Sequence, residues 1–152
     1  MPRRLSVPYY PQKAEGYCLA ACAQMVLHYW GIECRQDDLA QRLGVEPTIG
    51  VPASRIKRLT FLNLVVIYDI GDWATLSACL DDDVPVIAMI QAGELAYWNG
   101  EYFQHAVVVV GYDESNVWLM DPDRQPSPVV VSTDEFMLAW GEVDYRYAVF
   151  KR

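Results

Sequence analysis

The sequence lacks what several large classes of protein require. No apolar run is long enough to cross a membrane; Val84–Ile90 and Ala106–Val110 are only strand-sized. A basic start, Met1-Pro2-Arg3-Arg4, leads into Leu5–Pro11, which is no signal-peptide core, so no secretion signal is read. Positive charge is scarce: 12 Lys and Arg stand against 20 Asp and Glu, a formal net charge of −8. That balance argues against nucleic acid and against an anionic membrane surface as partners. The four cysteines, Cys18, Cys22, Cys34 and Cys79, have neither CxxC nor zinc-finger spacing. Without a secretion signal the expectation is reduced thiols in a cytoplasmic protein that uses no metal or other cofactor. There are only two histidines, and no repeat, low-complexity segment or linker.

What is present suits a folded domain. With 152 residues, 53% hydrophobic and 21% charged, the chain reads as a single domain over 1–152 with a sizeable core. Val7–Pro11 is an extended arm. Cys18, Ala21, Cys22, Met25, Val26, Tyr29 and Trp30 recur at helical spacing, and Gly31 ends that helix. A short helix follows over Gln36–Leu43, and Pro52 suits the first turn of a third, running to about Leu62 with Ile56 and Leu59 inward. Strands are expected at Leu64–Tyr68, Pro85–Gln91, Gln104–Tyr112, Val117–Asp121, Val129–Val131 and Arg146–Phe150. Helices capped by Asp72 and by Ser132 or Thr133 lie between them, the latter with Glu135 placed for a capping box. Helices first and mostly antiparallel strands afterwards define an α+β domain.

The candidate chemistry begins at Gln12-Lys13-Ala14-Glu15-Gly16-Tyr17-Cys18. Cys18 opens a helix, where orphan N–H groups and the positive end of the dipole favour a thiolate. Gln12, folded back by the Glu15-Gly16 bend, can offer a hydrogen bond to an oxyanion beside the sulfur. A nucleophilic cysteine needs a base and a group that orients the base. His28 lies ten residues along the helix, roughly 15 Å away at a helical rise, and reads as a surface histidine near the C-terminal turn. His105 instead begins the apolar strand Ala106–Val110, a rigid mount for a base. Asp121, held extended by Pro122, is the orienting candidate.

Register decides whether Asp121 meets His105. With an even loop in the hairpin, Asp121 falls on the opposite face from His105. With an odd loop pairing Tyr112 with Asn116, it falls opposite Val107, diagonal to His105 on the same face. The expectation is the odd loop or an equivalent bulge.

These residues carry a resemblance. Cys18–Gly31 resembles the nucleophile helix of the bacteriocin-processing, double-glycine peptidases, which are papain-like cysteine peptidases. His105–Gly111 with Val117–Pro122 is similar to their histidine strand and Asp-Pro hairpin, and the tail around Phe136, Trp140 and Tyr147–Phe150 to their last helix and strand. The resemblance implies a papain-like fold with N-terminal helices on the sheet, Cys18 as nucleophile, His105 as base, Asp121 as orienter and Gln12 in the oxyanion hole. It implies a peptide or protein substrate and a free-standing member of the family. One departure is Leu19, where the family usually has glycine. Two other classes remain open: a silent peptide-binding module of the same fold, and a redox or metal protein using Cys18, Cys22 and His105. Within the enzyme reading, a thioester can also serve transpeptidation.

Overall fold

The structure, a computed structural model, describes residues 3–46, 48–61, 63–125 and 127–152. Among these residues the chain forms β1 (Arg3–Arg4), α1 (Cys18–Tyr29), α2 (Gln36–Leu43), β2 (Val65–Ile70), α3 (Trp73–Asp81), β3 (Val86–Gln91), β4 (Gln104–Tyr112), β5 (Asn116–Met120), β6 (Val129–Ser132), α4 (Thr133–Gly141) and β7 (Arg146–Lys151). The strands join in one sheet of order β2-β7-β3-β4-β5-β6, and β1 pairs with the end of β4. Every pairing is antiparallel.

Both faces of the sheet are covered, which explains the unbroken apolar run in β4. Ala106, Val108 and Val110 point into a core shared with α1 and α2; Val107 and Val109 point into a second core with α3 and α4. Val107, Val108 and Val109 have no exposed surface. Each such side chain contributes about 1.5–3 kcal/mol by leaving water, so the strand that carries His105 is firmly held. Helix α1 is buried nearly all round: Ala20 to Ala23 and Met25 to Leu27 are at 0% exposure. Its alanines let the helix lie close to the sheet. Gly31 follows it at φ +86°, the left-handed conformation that closes a helix and favours glycine.

The helix caps are partly as expected. Asp72 caps α3 by accepting from Thr75 N–H at 2.7 Å. Ser132 caps α4 by accepting from Glu135 N–H at 3.1 Å. The reciprocal half of the capping box is not made, because the Glu135 carboxylate accepts from Ala96 N–H at 3.3 Å instead. The expected third helix is corrected to a short 3-10 helix, Ala53–Arg58. Ile56 and Leu59 are both fully buried, and their three-residue spacing suits the 3-10 period. Leu62, its expected end, lies outside the described residues. Strand β1 was not foreseen; two residues carry no readable pattern.

The β4–β5 hairpin corrects one expectation and meets its alternative. Tyr112 pairs with Val117, so the turn is not the odd loop. A bulge between Val109 and Gly111 then shifts the register by one, so that Val109 meets Leu119 and Val108 meets Met120. Continued by one residue, this register sets Asp121 opposite Val107, on the face of His105. Among the described residues no helix is long and apolar enough to cross a membrane.

Candidate active site

Cys18 is the first residue of α1. Tyr17 at the N-cap offers no side-chain cap, so the first-turn N–H groups keep their capacity for an anion. The approach to the cysteine depends on Gly16, which sits at φ +84°. A Cβ there would lie 2.8 Å from the backbone nitrogen of Gly50. Glycine thus lets the bend before Cys18 pack on the backbone of Glu46 and Gly50, and Thr48 N–H donates to Glu15 C=O at 3.2 Å.

His105 enters from β4 and is 5% exposed. Its Nε2 lies 2.8 Å from Asp121 Oδ1. That leaves Nδ1 for Cys18, on whose thiol the imidazole acts by hydrogen bonding and charge to favour the thiolate. Trp98 and Phe103 meet the ring edge-on at centroid distances of 5.3 and 5.4 Å. Asp121 has no exposed surface, yet its carboxylate is well supplied with donors. Oδ1 also accepts from Asp123 N–H at 2.9 Å. Oδ2 accepts from Tyr97 Oη–H at 2.5 Å and from Trp98 Nε1–H at 3.1 Å. Behind this group, Tyr9 Oη–H donates to the Asp121 and Arg124 carbonyls, both at 2.9 Å. The Arg124 guanidinium stacks over Trp98, 3.7 Å from its ring centroid.

The electrostatics favour a charge-separated pair. Burial pushes the Cys18 thiol up, but the hydrogen bond and charge of His105, with the N–H groups of Ala106 and Leu19, outweigh it and bring it below its ordinary value. Burial likewise pulls His105 down, and Asp121 and Cys18 together override this and push it up to about 9. Burial raises Asp121, but His105, Tyr97 and Asp123 N–H hold it below the usual carboxylate range. Each of the three shifts favours the charged form: thiolate at Cys18, imidazolium at His105 and carboxylate at Asp121.

A cleft of about 610 Å³ opens on this row, lined by Gln12, Cys18, Leu19, Trp98, His105 and Asp123 among others. Gln12 is therefore at the site, although its Nε2 donates to Ala14 C=O at 3.1 Å and makes no bond to the sulfur. Its Oε1 is buried without a partner. Its backbone N–H donates to Pro122 C=O at 2.8 Å, tying the N-terminal arm to the segment that carries Asp121. Leu19, 4% exposed, forms part of the cleft wall.

The structure thus gathers all four candidate residues: Gln12, Cys18 and His105 line one cleft, and Asp121 is bonded to His105 behind it. His28 stays apart, with Tyr10 Oη 2.6 Å from its Nδ1 and Glu33 3.5 Å from its Nε2. Cys22 is fully buried in the core, and desolvation raises its thiol well above the ordinary value. Burial also raises the half-buried Cys34 and Cys79. All four cysteines are free. Among the described residues no group of three His, Cys, Asp or Glu is placed to hold a metal. Tyr97 and Trp98, which sequence reasoning did not place at the site, grip the Asp121 carboxylate, and Trp98 also lines the cleft. Two aromatics with polar tips ahead of the histidine strand were the available signal, but nothing local to them shows that this loop folds back onto Asp121.

A cysteine at the start of a buried helix, packed against the histidine strand of an antiparallel sheet, defines the papain-like cysteine peptidase fold. The chain belongs to the Peptidase_C39 like family, whose model matches residues 4–148. No curated protein matches it. Among the solved structures that share the fold are the following three. A protein described as a C39-like peptidase from Bacillus anthracis superposes with TM-score 0.83 at 20% identity, covering 100% of this chain and 98% of that one. A double glycine motif protease from an AMS/PCAT transporter, solved in complex with the leader peptide, gives 0.73 at 20% identity, with 98% and 94% covered. The peptidase domain of Streptococcus ComA, a bi-functional ABC transporter involved in quorum sensing, gives 0.72 at 18% identity, with 95% and 98% covered. Family and fold agree on a peptidase-type function.

Proposed function

We propose that the chain is an active cysteine peptidase that cleaves a peptide bond through a thioester on Cys18. The observation that carries this is the grouping of Cys18, His105 and Asp121, with His105 Nε2 2.8 Å from Asp121 Oδ1 and the imidazole lowering the Cys18 thiol, at a cleft of about 610 Å³. Cys18 thiolate attacks the scissile carbonyl carbon, and the charge passes to the carbonyl oxygen. Gln12 and the Cys18 backbone N–H hold that oxyanion. As the C–N bond breaks, the proton on His105 Nδ1 goes to the leaving amine, and a thioester remains. His105 then takes a proton from water, whose oxygen attacks the thioester and frees the carboxylic acid and the thiolate. Asp121 stays ionised and fixes the ring.

Residues 1–152 act as one peptidase domain, in a reducing, cytoplasmic setting and with no cofactor. A peptide or protein substrate is supported by the relative solved with a leader peptide in place. The test is incubation of the full chain with a peptide library, followed by mass spectrometry of products and of the protein. Cleaved peptides, with an acyl adduct trapped on Cys18, are expected. Peptides bound but intact make it a silent module, and products joined to an added amine make it a transpeptidase.

A further inference from the structure

Gln36 opens α2 and is 1% exposed, buried to the degree of His105 and Asp121 although it does not line the cleft. A buried amide is costly unless its polar atoms are bonded, and these are. Its Oε1 accepts from Lys13 N–H at 2.8 Å, and its Nε2 donates to Pro11 C=O at 3.0 Å. Those two groups belong to the peptides on either side of Gln12. The other Nε2–H goes to Gln24 Oε1 at 2.9 Å, and Gln24 in turn donates from Nε2 to Cys34 C=O at 3.1 Å. Gln24 stands on α1, the helix that Cys18 opens. The Gln36 amide thus joins the backbone around Gln12 to the helix of the nucleophile, while Gln12 N–H is held separately by Pro122 C=O. A surface tie lies beside it, Lys13 Nζ to Asp37 Oδ2 at 3.2 Å, but both side chains are about half exposed and solvent weakens the pair.

We propose that Gln36 is a positioning residue for the oxyanion hole: by fixing the peptide on each side of Gln12, it sets where the Gln12 amide can swing beside Cys18. The inference rests on the reading of Cys18 as nucleophile and Gln12 as oxyanion donor. A primary amide carries the same C=O and N–H as a peptide group, so Gln36 grips the chain here as a neighbouring strand would. It grips at two points, which fixes rotation as well as place. Rotation matters because Gln12 Nε2 sits at the far end of a flexible side chain and at rest donates to Ala14 C=O at 3.1 Å. An oxyanion donor works only within about 2.7–3.1 Å of the developing charge, so a small turn of the backbone at Gln12 takes the amide out of range. Methionine has nearly the shape of glutamine but offers neither bond, and at position 36 it would leave Pro11 C=O and Lys13 N–H without this partner.

The experiment uses the full chain and two reagents that differ in whether an oxyanion forms. With iodoacetamide the Cys18 thiolate displaces iodide in one step and no oxyanion arises. With p-nitrophenyl acetate the thiolate adds to the ester carbonyl and the charge passes to its oxygen. The C–O bond then breaks, p-nitrophenolate leaves, and an acetyl thioester remains on Cys18. The part of the ester rate that Cys18→Ala abolishes is the signal. Gln36→Met should label with iodoacetamide at nearly the parental rate and acylate roughly ten- to a hundred-fold more slowly, the cost of a misplaced group. Added to Gln12→Ala, which is itself slow, Gln36→Met should reduce acylation by less than about two-fold further, because it acts through an amide already gone. Gln36→Asn, whose amide is one methylene shorter, goes through the same cycle, so that a Gln36→Met chain that fails to fold leaves the test in force. Losses that multiply in the double variants, an unchanged ester rate in both Gln36 variants, or ester and iodoacetamide rates that fall together overturn the inference and leave Gln12 its role. An ester rate unchanged in Gln12→Ala overturns the oxyanion reading and this inference with it. The expected cycle in a chain that cuts no peptide of the library upholds the inference and removes the hydrolytic reading.

Discussion

His105 Nε2 and Asp121 Oδ1 lie 2.8 Å apart across a hairpin whose turn, taken alone, would set the two side chains on opposite faces of the sheet. The bulge between Val109 and Gly111 reconciles them. The carboxylate that results is sealed from solvent and bonded on both oxygens, which leaves the imidazole one orientation, with Nδ1 towards the sulfur.

This pairing fixes a pH dependence. Turnover needs Cys18 as thiolate and His105 as imidazolium. The thiolate persists down to a pH below the ordinary cysteine value, and the imidazolium persists upward until it is lost through about 9. The rate should therefore fall on the alkaline side near pH 9, and its acid limb should lie below the ordinary cysteine value. Asp121→Asn removes the charge that helps His105 keep its proton, so the alkaline limb should move to lower pH as turnover drops. A limb that stays in place in Asp121→Asn speaks against the assigned role.

Selective chemistry at one thiol is the second expectation. Cys18 lies below the ordinary thiol value, whereas burial raises Cys22, Cys34 and Cys79. Iodoacetamide at pH 7 should label Cys18 well ahead of the other three, read by peptide mapping. His105→Ala removes the largest influence lowering the thiol and should slow that labelling towards the rate of a free cysteine, whose value is about 8.5. Equal labelling of all four thiols contradicts the ion pair.

Tyr97 is the third. Its hydroxyl bonds Asp121 Oδ2 at 2.5 Å, beside Trp98 Nε1–H at 3.1 Å. Tyr97→Phe deletes one buried bond to a charged group and should lower stability by about 1.5–3 kcal/mol, measured by urea unfolding. Trp98 and Asp123 N–H still hold the carboxylate, so turnover should fall less than in Asp121→Ala. Unchanged stability and unchanged turnover would show that the hydroxyl does not grip Asp121.

Much of this was legible in sequence because it is written in local patterns. Cys18 at a helix start follows from periodicity. His105 on a buried strand follows from five apolar residues in a row. The alternation that raised the register question also named its two answers. The bulge itself left no mark, since Val110 is one more apolar residue and takes its place through packing on both faces. The grip of Tyr97 and Trp98 on Asp121 spans 24 and 23 residues and depends on a loop path that no local pattern encodes. The 3-10 form of Ala53–Arg58 escaped for a related reason: Ile56 and Leu59 fit either helical period over so short a stretch.

Gln12 gives the sharpest test of the proposed chemistry. Its side chain lines the cleft, with Nε2 donating to Ala14 C=O and Oε1 buried without a partner. A buried, unpaired amide oxygen costs stability, so the side chain is not there to hold the fold together. The tie between the arm and the Asp121 segment is made by the Gln12 backbone, whose N–H reaches Pro122 C=O at 2.8 Å, and any residue but proline keeps it. Gln12→Ala should therefore fold with little change in stability. A neutral amide cannot act as a base, so the Cys18–His105 pair should remain, and iodoacetamide should label Cys18 at nearly the parental rate because that reaction passes through no oxyanion. Turnover does pass through one. If the amide turns its free N–H to the developing charge, turnover should fall by roughly a hundred- to a thousand-fold. The two rates, measured on the same folded variant, must part company. If labelling and turnover fall together, Gln12 shapes the site at rest, and the oxyanion role passes to the backbone N–H groups at the start of α1.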